Sequence, residues 1–296
     1  MQKFSKPNTS TKLISEIGVG VMPFSRPGAS LDVAVEVLHY CLNSGISLLN
    51  TADVYAPSAD QIGHNENVVR EALDQWDGER ENIVVVTKNG LTREGTQWSR
   101  NGSKEHLLQA AEASGKKLGF VPDLILHHRI DRTRPFAEQA KAMVAVHQAG
   151  LAKRIGFSNV TALEYDIAQQ ETGGMIAAIE NERSPRFRDH TDVLERCARD
   201  EIAFLAWSPL GGENDAKNLG ELYPEFQQVA HEVGATAQQV ALRWLKLQSP
   251  SMVPIPGFTK ISTAKSSIAS MDIKLTDDQL TRLNSSPAGD GSVYPD

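Results

Sequence analysis

Four side chains on three separate segments have the chemistry of a proton-transfer site: Asp53 and Tyr55 in NTADVYA, Lys88 closing IVVVTK, and His128 closing LILHH. Each ends or follows a short apolar run, where a parallel α/β barrel carries its reactive groups. An unperturbed tyrosine has a pKa of about 10, so it donates a proton near neutrality only beside groups such as an ammonium and an imidazole. Asp53 and Tyr55 are two apart, and in extended backbone their side chains share one side, toward the barrel mouth. Lys88, ending a buried strand, needs a counter-ion, and Asp53 is the expected one. His128 has the donor and acceptor capacity to meet the same oxygen. Taken singly, each has an ordinary reading as a loop tyrosine, a lysine reaching solvent or a structural histidine; the combination carries the chemistry.

The elements that must position these groups alternate between strand-like and helix-like periods almost throughout, which implies βαβ units. Strands are expected at Glu16–Gly20, Ser47–Asn50, Ile83–Lys88, Leu124–His127, Arg154–Phe157, Ala177–Glu180, Ala203–Ala206 and Met252–Ile255. Several are continuously apolar, as strands buried on both faces are. Amphipathic stripes lie between them, such as Val68, Val69, Ala72, Leu73 and Trp76, while Cys41 reads as core and His147 as a helix-edge residue. Thr276, Asp277 and Asp278 make an N-terminal cap for a last helix. The expectation is an α/β (β/α)8 TIM barrel in one domain over 1–296, with segment 1–15 and tail 285–296 as appendages. An open dinucleotide-binding sheet would need G-x-G-x-x-G after the first strand, whereas Gly18 and Gly20 are followed by Val-Met-Pro.

Composition narrows the classes further. The 296 residues are 40% apolar and 23% charged, with a formal charge of -7 and no basic block, so a nucleic-acid partner is not expected. No apolar run reaches the roughly 18 residues of a membrane span, and MQKFSKPNTSTK lacks a secretory apolar stretch. With only two cysteines, Cys41 and Cys197, a reducing cytoplasm fits. The N-x-S/T matches at Asn8, Asn101 and Asn159 then read as chance. A zinc site from His64, His127 and His128 has no H-E-x-x-H or cysteine pair behind it, and no metal is expected.

The chain resembles the aldo-keto reductase superfamily over nearly its whole length. The matching pieces are GVGVMPFS (18–25), GISLLNTADVYA (45–56), GHNENVVREAL (63–73), VVTKNG (85–90), DLILHHRID (123–131), GFSN (156–159), AWSPLGG (206–212) and VPIPGF (253–258). The resemblance implies a nicotinamide cofactor across the C-terminal mouth, with Tyr55 as acid, Lys88 and Asp53 tuning it, and His128 orienting the carbonyl. His128 rather than His127 fits the family's D-x-x-x-x-H-R-x-D spacing. It also implies that Ser158 and Asn159 hold the carboxamide and that Trp207 stacks on the nicotinamide. Gly20, Met22, Asp53, Ser208, Leu210, Gly212, Gly257, Phe258, Thr259, Lys260, Thr263 and Ser267 would follow along the cofactor, and Trp98, in the loop after Lys88, would wall the substrate pocket with Tyr55 and His128.

Two segments depart from the family pattern. Glu180 stands where a glutamine usually meets the carboxamide, and its charge should favour the oxidised, cationic nicotinamide. Thr263, Ser266 and Ser267 replace residues that usually grip the adenine, while Lys260 supplies one cation for a 2′-phosphate. NADP(H) is therefore the expected cofactor, with NAD(H) as the alternative if Lys260 and Lys265 are solvated helix-edge charges. The expected activity is reduction of a small polar aldehyde or ketone. The alternative is a non-catalytic cofactor-binding or partner module, which would more readily have lost one of the four reactive residues.

Overall fold

The computed structural model describes residues 2–3 and 13–294. A short antiparallel pair, β1 (Gln2–Lys3) and β2 (Leu13–Ile14), precedes β3 (Val19–Gly20), β4 (Leu48–Asn50) and β5 (Val84–Asn89). An excursion, β6 (Leu91–Glu94) with β7 (Gln97–Arg100), leads to β8 (Leu124–His127), β9 (Ile155–Ser158), β10 (Ile176–Glu182), β11 (Ala203–Trp207) and β12 (Met252–Pro254). Eight strands form one sheet in the order β12-β11-β10-β9-β8-β5-β4-β3, every pairing parallel. The ends meet: Gly18 N donates to Pro254 O at 2.9 Å, Gly20 N donates to Pro256 O at 3.0 Å, and Gly20 bridges Gly257 in parallel. The sheet is thus a closed (β/α)8 barrel, and the eight expected strands are its eight staves, shifted by up to three residues at their ends.

Helices 31–43, 64–74, 104–118, 136–148, 162–171, 191–199, 237–247 and 261–269 return the chain between staves or follow the last one. Their starts are fixed locally. Ser30, Ser103, Thr161, Thr236 and Thr276 each accept a bond from a first-turn N–H, and the last three are full capping boxes. Cys41 is buried between helix and sheet, and His147 ends its helix with Nδ1 3.1 Å from Ala152 O. Among the described residues no helix is long and apolar enough to cross a membrane.

The period of two along each stave sorts the apolar residues into two cores. Leu48, Val84, Val86, Leu124, Leu126, Ala178, Ala203, Leu205, Val253 and Ile255 fill the barrel, while Leu49, Val85, Ile125, Phe157, Ile179, Phe204 and Met252 face the helices. Ile14 plugs the N-terminal end of the interior core, so the segment expected as an appendage contributes a buried side chain there. Residues 4–12 of that segment, with Asn8, lie outside the described residues.

Packing inside is close enough to demand glycine at one stave position. A Cβ on Gly156 would sit 2.1 Å from Ala178 O and 2.7 Å from Leu126 Cδ2. Backbone cannot give way as a side-chain tip does, and overpacking costs about 1–3 kcal/mol even where relaxation is possible. Gly156→Ala is expected to lower the urea unfolding free energy by at least about 2 kcal/mol; a midpoint equal to that of the parent chain would show that the barrel relaxes freely there.

Candidate active site

The same parity that fills the barrel places polar side chains at its C-terminal mouth. Two residues beyond inward-facing Leu48 is Asn50; beyond Val86, Lys88; beyond Leu126, His128; beyond Gly156, Ser158; beyond Ala178, Glu180; beyond Leu205, Trp207. His127 has the opposite parity. Its Nε2 lies 2.7 Å from Gln139 Oε1, between barrel and helix, so His128 is the histidine at the cleft.

Lys88 is 1% exposed, and its Nζ lies 2.6 Å from Asn50 Oδ1, 3.0 Å from Thr51 O, 3.2 Å from Glu180 Oε1 and 3.3 Å from Tyr55 Oη. Asn50 Nδ2 donates to Glu180 Oε2 at 2.6 Å. Glu180 is therefore the counter-ion of Lys88, where Asp53 was expected. The reason lies in the backbone: residues 53–54 form a turn, with Tyr55 N donating to Ala52 O, so the period of two fails between Asp53 and Tyr55. Tyr55 enters the cleft; Asp53 turns outward, accepting from Val54 N at 2.6 Å and Asn89 Nδ2 at 2.9 Å. Asn65, with Oδ1 accepting from Thr51 and Nδ2 donating to Val21 O and Ser25 Oγ, pins this loop from the following helix.

The electrostatics follow from this enclosure. Burial works against the Lys88 charge, but Glu180 and then Tyr55 outweigh it, and the ammonium is held above its ordinary pKa. Burial raises the Tyr55 phenol, and the Lys88 charge opposes that rise. His128 falls well below the ordinary histidine range through burial, then Lys88 and Arg129, so its ring is neutral. Its ring centroid lies 5.6 Å from that of Tyr55, edge-on, and its buried Nδ1 has no hydrogen-bond partner. Asp53, with no ion-pair contact to Lys88, is pushed up to about 8 by burial and then by Glu66, against the lowering effect of the Asn89 and Val54 hydrogen bonds and the Lys88 charge.

A cleft of about 1540 Å³ runs from Tyr55 and His128 across the mouth. Of the expected cofactor residues, Gly20, Met22, Ser158, Asn159, Glu180, Trp207, Ser208, Leu210, Gly212, Gly257, Phe258, Thr259, Lys260, Thr263 and Ser267 all line it, and Asp53 does not. Asn159 Oδ1 accepts from Trp207 Nε1 at 3.1 Å, fixing the indole, and Ser158 Oγ donates to Glu180 O at 2.7 Å. Both Asn159 (φ 60°) and Ser208 (φ 44°) adopt left-handed backbone, a strain that the serine in particular sustains only under tight surroundings. Gly257 packs so closely on Pro23 that a Cβ would lie 2.8 Å from its ring. Arg26 meets Glu213 at 2.6 Å, joining two segments of the cleft wall. No set of three His, Cys, Asp or Glu side chains suited to a metal occurs among the described residues; His64 instead meets Ser25 Oγ at 2.8 Å.

Trp98 lines the cleft as expected, but its setting and its arginine neighbours were not foreseen. Trp98 sits on the β6–β7 hairpin rather than in a loop, with the Arg93 guanidinium 5.1 Å from its ring centroid, and Arg100 and Arg129 line the same end. The tail, expected as an appendage, turns back over the mouth. Arg186 donates to Asp290 O and Gly291 O, Val293 N donates to Glu182, and Arg129 donates to Tyr294 O. Tyr294 thereby lies 6.0 Å from the Trp207 ring. Asn50 carried a readable signal, as the polar end of LLN at an inward position. The tail and hairpin contacts depend on long-range pairs with no periodic trace.

A sequence profile of the Aldo/keto reductase family matches residues 16–287. A pyridoxine 4-dehydrogenase of Escherichia coli (strain K12) is 28% identical over 287 residues, spanning 93% of this chain and 95% of that protein. An uncharacterized oxidoreductase of Schizosaccharomyces pombe is 29% identical over 279 residues, spanning 92% of this chain and 86% of its own. In fold, the chain is similar to a glycerol dehydrogenase from Gluconobacter oxydans (TM-score 0.79, 22% identity, 96% of this chain and 94% of that one). It is also similar to an aldo-keto reductase from Klebsiella pneumoniae in complex with NADPH (TM-score 0.76, 24% identity, 92% and 90%).

The outward turn of Asp53 has a measurable consequence. Its carboxyl binds a proton in the folded state up to a pH of about 8, but loses it near pH 4 when unfolded, so folding loses stability as pH rises through that window. The slope from this one group is at most about 1.4 kcal/mol per pH unit. Asp53→Asn removes it, and the buried, unpartnered Asn89 Oδ1 supplies an acceptor for the new amide. Urea unfolding at pH 5 and pH 8 should show the variant gaining on the parent at the higher pH; parallel pH dependences would place the proton elsewhere.

Proposed function

Because the chain belongs to the aldo/keto reductase family, we propose that it is an NADP(H)-dependent reductase of aldehydes or ketones with Tyr55 as the proton donor. The observation that carries this reading is the Tyr55 hydroxyl at the cleft wall, 3.3 Å from a buried ammonium and beside a neutral imidazole. When bound, a reduced nicotinamide supplies the hydride that adds to the carbonyl carbon. Tyr55 gives its phenolic proton to the carbonyl oxygen as negative charge develops there, and Lys88 stabilises the phenolate left behind. His128, neutral at working pH, holds the carbonyl by a hydrogen bond without competing as an acid. The phenolate regains its proton from water through the open cleft, and the product is the alcohol.

The cleft suits a long, phosphate-bearing cofactor. Trp207 offers an aromatic face, Ser158 and Asn159 a hydroxyl and an amide, and the hydroxyls of Thr259, Thr263 and Ser267 line the far end with Lys260. No side chain caps the helix 261–269, so its N-terminal N–H groups remain for an anion. The Klebsiella pneumoniae structure in complex with NADPH supports the same cofactor class. At the substrate end, Arg93, Arg100 and Arg129 flank Tyr55, His128 and Trp98, which favours carbonyl compounds carrying hydroxyl or anionic groups over purely apolar ones.

Two measurements test this reading. With NADPH and a panel of carbonyl compounds, neutral and anionic, the parent chain should turn over at least one, and Tyr55→Phe should lose about 10²–10⁴-fold in kcat while keeping cofactor affinity. Absence of turnover in the parent across the panel, with cofactor bound, would instead favour a binding module. Lys260→Ala should weaken NADPH binding about tenfold and leave NADH binding nearly unchanged, the loss of one charge-assisted contact; equal losses for both would remove Lys260 from recognition of the 2′-phosphate.

A further inference from the structure

Asn50, Glu180 and Lys88 close a ring of contacts inside the barrel. The Asn50 oxygen faces the ammonium at 2.6 Å, its nitrogen faces Glu180 Oε2 at 2.6 Å, and Glu180 Oε1 faces the ammonium at 3.2 Å. The amide fits only this way round, because its oxygen cannot meet a carboxylate and its nitrogen cannot meet an ammonium. Both partners of Glu180 are donors, so the ionised carboxylate is the form the geometry accommodates. A second carboxylate at position 50 would face Glu180 at that same short distance, so the ring has one seat for negative charge, and it is filled from β10.

We infer that Glu180, locked by Asn50, is the positioning residue that sets the proton affinity of the Lys88–Tyr55 pair. With the carboxylate in place the buried cluster of Lys88, Glu180 and protonated Tyr55 is neutral. Losing a proton from either the phenol or the ammonium leaves it with net negative charge in a site poor in water, so the phenol stays available as an acid well into the alkaline range. Without the carboxylate the cluster is cationic, and its first proton leaves more easily, whichever group releases it. The other charged or titratable groups facing the pair are Arg129 and neutral His128 at the cleft, with Asp53 and Glu66 behind β5. None of these contacts Glu180. The role differs from contact with the carboxamide, since both Glu180 oxygens are already engaged within the barrel.

The test moves the charge without removing it. Tyrosinate difference absorbance of the cofactor-free chain, referenced to Tyr55→Phe, is followed against pH for the parent, Glu180→Gln and the double variant Asn50→Asp/Glu180→Gln, with near-ultraviolet circular dichroism as the check on folding. Glu180→Gln should release the first proton of the pair at least about one pH unit lower, seen as tyrosinate or, if the ammonium yields first, as loss of the alkaline stabilisation of Lys88 in pH-dependent unfolding. The double variant, with its carboxylate on the other side of the ammonium, should restore the parent profile. The ratio of dissociation constants for oxidised and reduced cofactor should shift toward the reduced form in Glu180→Gln and return in the double variant. Should Glu180→Gln fail to fold, recovery of a folded chain with the parent profile in the double variant supports the inference. A Glu180→Gln profile like the parent's, or a double variant that fails to fold or to restore the profile, overturns it. The significance for catalysis rests on Tyr55 as the proton donor, but the titration is read without turnover, so a failed titration and an inactive enzyme are separate results.

Discussion

The ammonium of Lys88 is enclosed in a barrel whose other interior side chains below it are aliphatic or alanine. An ion there is tolerated only if its charge is matched and its three protons are all bound. Asn50, Thr51, Tyr55 and Glu180 meet those demands together, which fixes the conformations of three segments at once: the end of β4 with the turn after it, the end of β5, and the middle of β10. The phenol is thereby held at the cleft wall in one place. Removing any of these partners would leave a buried charge or donor unmatched, so the chemistry at Tyr55 and the integrity of the mouth are one problem.

Strand parity is what allows a single barrel to hold both an apolar core and a reactive mouth. Inward positions are aliphatic through the lower layers and become Asn, Lys, His, Ser, Glu and Trp only in the last layer of the staves, where the interior opens into the cleft. Below that layer the interior side chains are almost fully buried, which keeps the effective dielectric low around Lys88 and strengthens each contact it makes. Above it, Trp207 is fixed by Asn159, and the returning tail packs beside it through Tyr294, so the mouth is walled from both the sheet and the chain terminus.

Much of this was legible in the sequence because it is periodic. Runs such as IVVV and LIL mark staves; a period of two says that His127 and His128 point opposite ways, and the D-x-x-x-x-H-R-x-D spacing of the family the chain resembles picks His128. The pairing of Lys88 was not legible, because β5 and β10 are not neighbours in the sheet and meet only across the barrel. Asp53 was the acid expected to share the side of Tyr55, and that expectation failed at a turn of two residues that redirects its side chain. The tail strapped by Glu182 and Arg186 was equally hidden, since it is held by contacts between positions far apart in the chain, and the hairpin bearing Trp98 pairs two short strands, LTRE and QWSR, that lack an apolar run.

Two buried carboxylates, one on each side of β5, show how far position outweighs residue type. Glu180 faces inward and finds an ammonium and an amide donor; burial raises its carboxyl, and Lys88 and Asn50 oppose the rise. Asp53 faces outward, and although Val54 N and Asn89 donate to it and the Lys88 charge lowers it, burial and then another acid, Glu66, itself raised by burial and bonded to Thr87, outweigh them. Hydrogen bonds alone do not offset the desolvation of a carboxylate when like charge is added. Burial raises both carboxyls, and the outward one, pushed up to about 8, lacks the direct ion pair that opposes the rise at the inward one. The chain uses the inward one to hold the charge beside Tyr55.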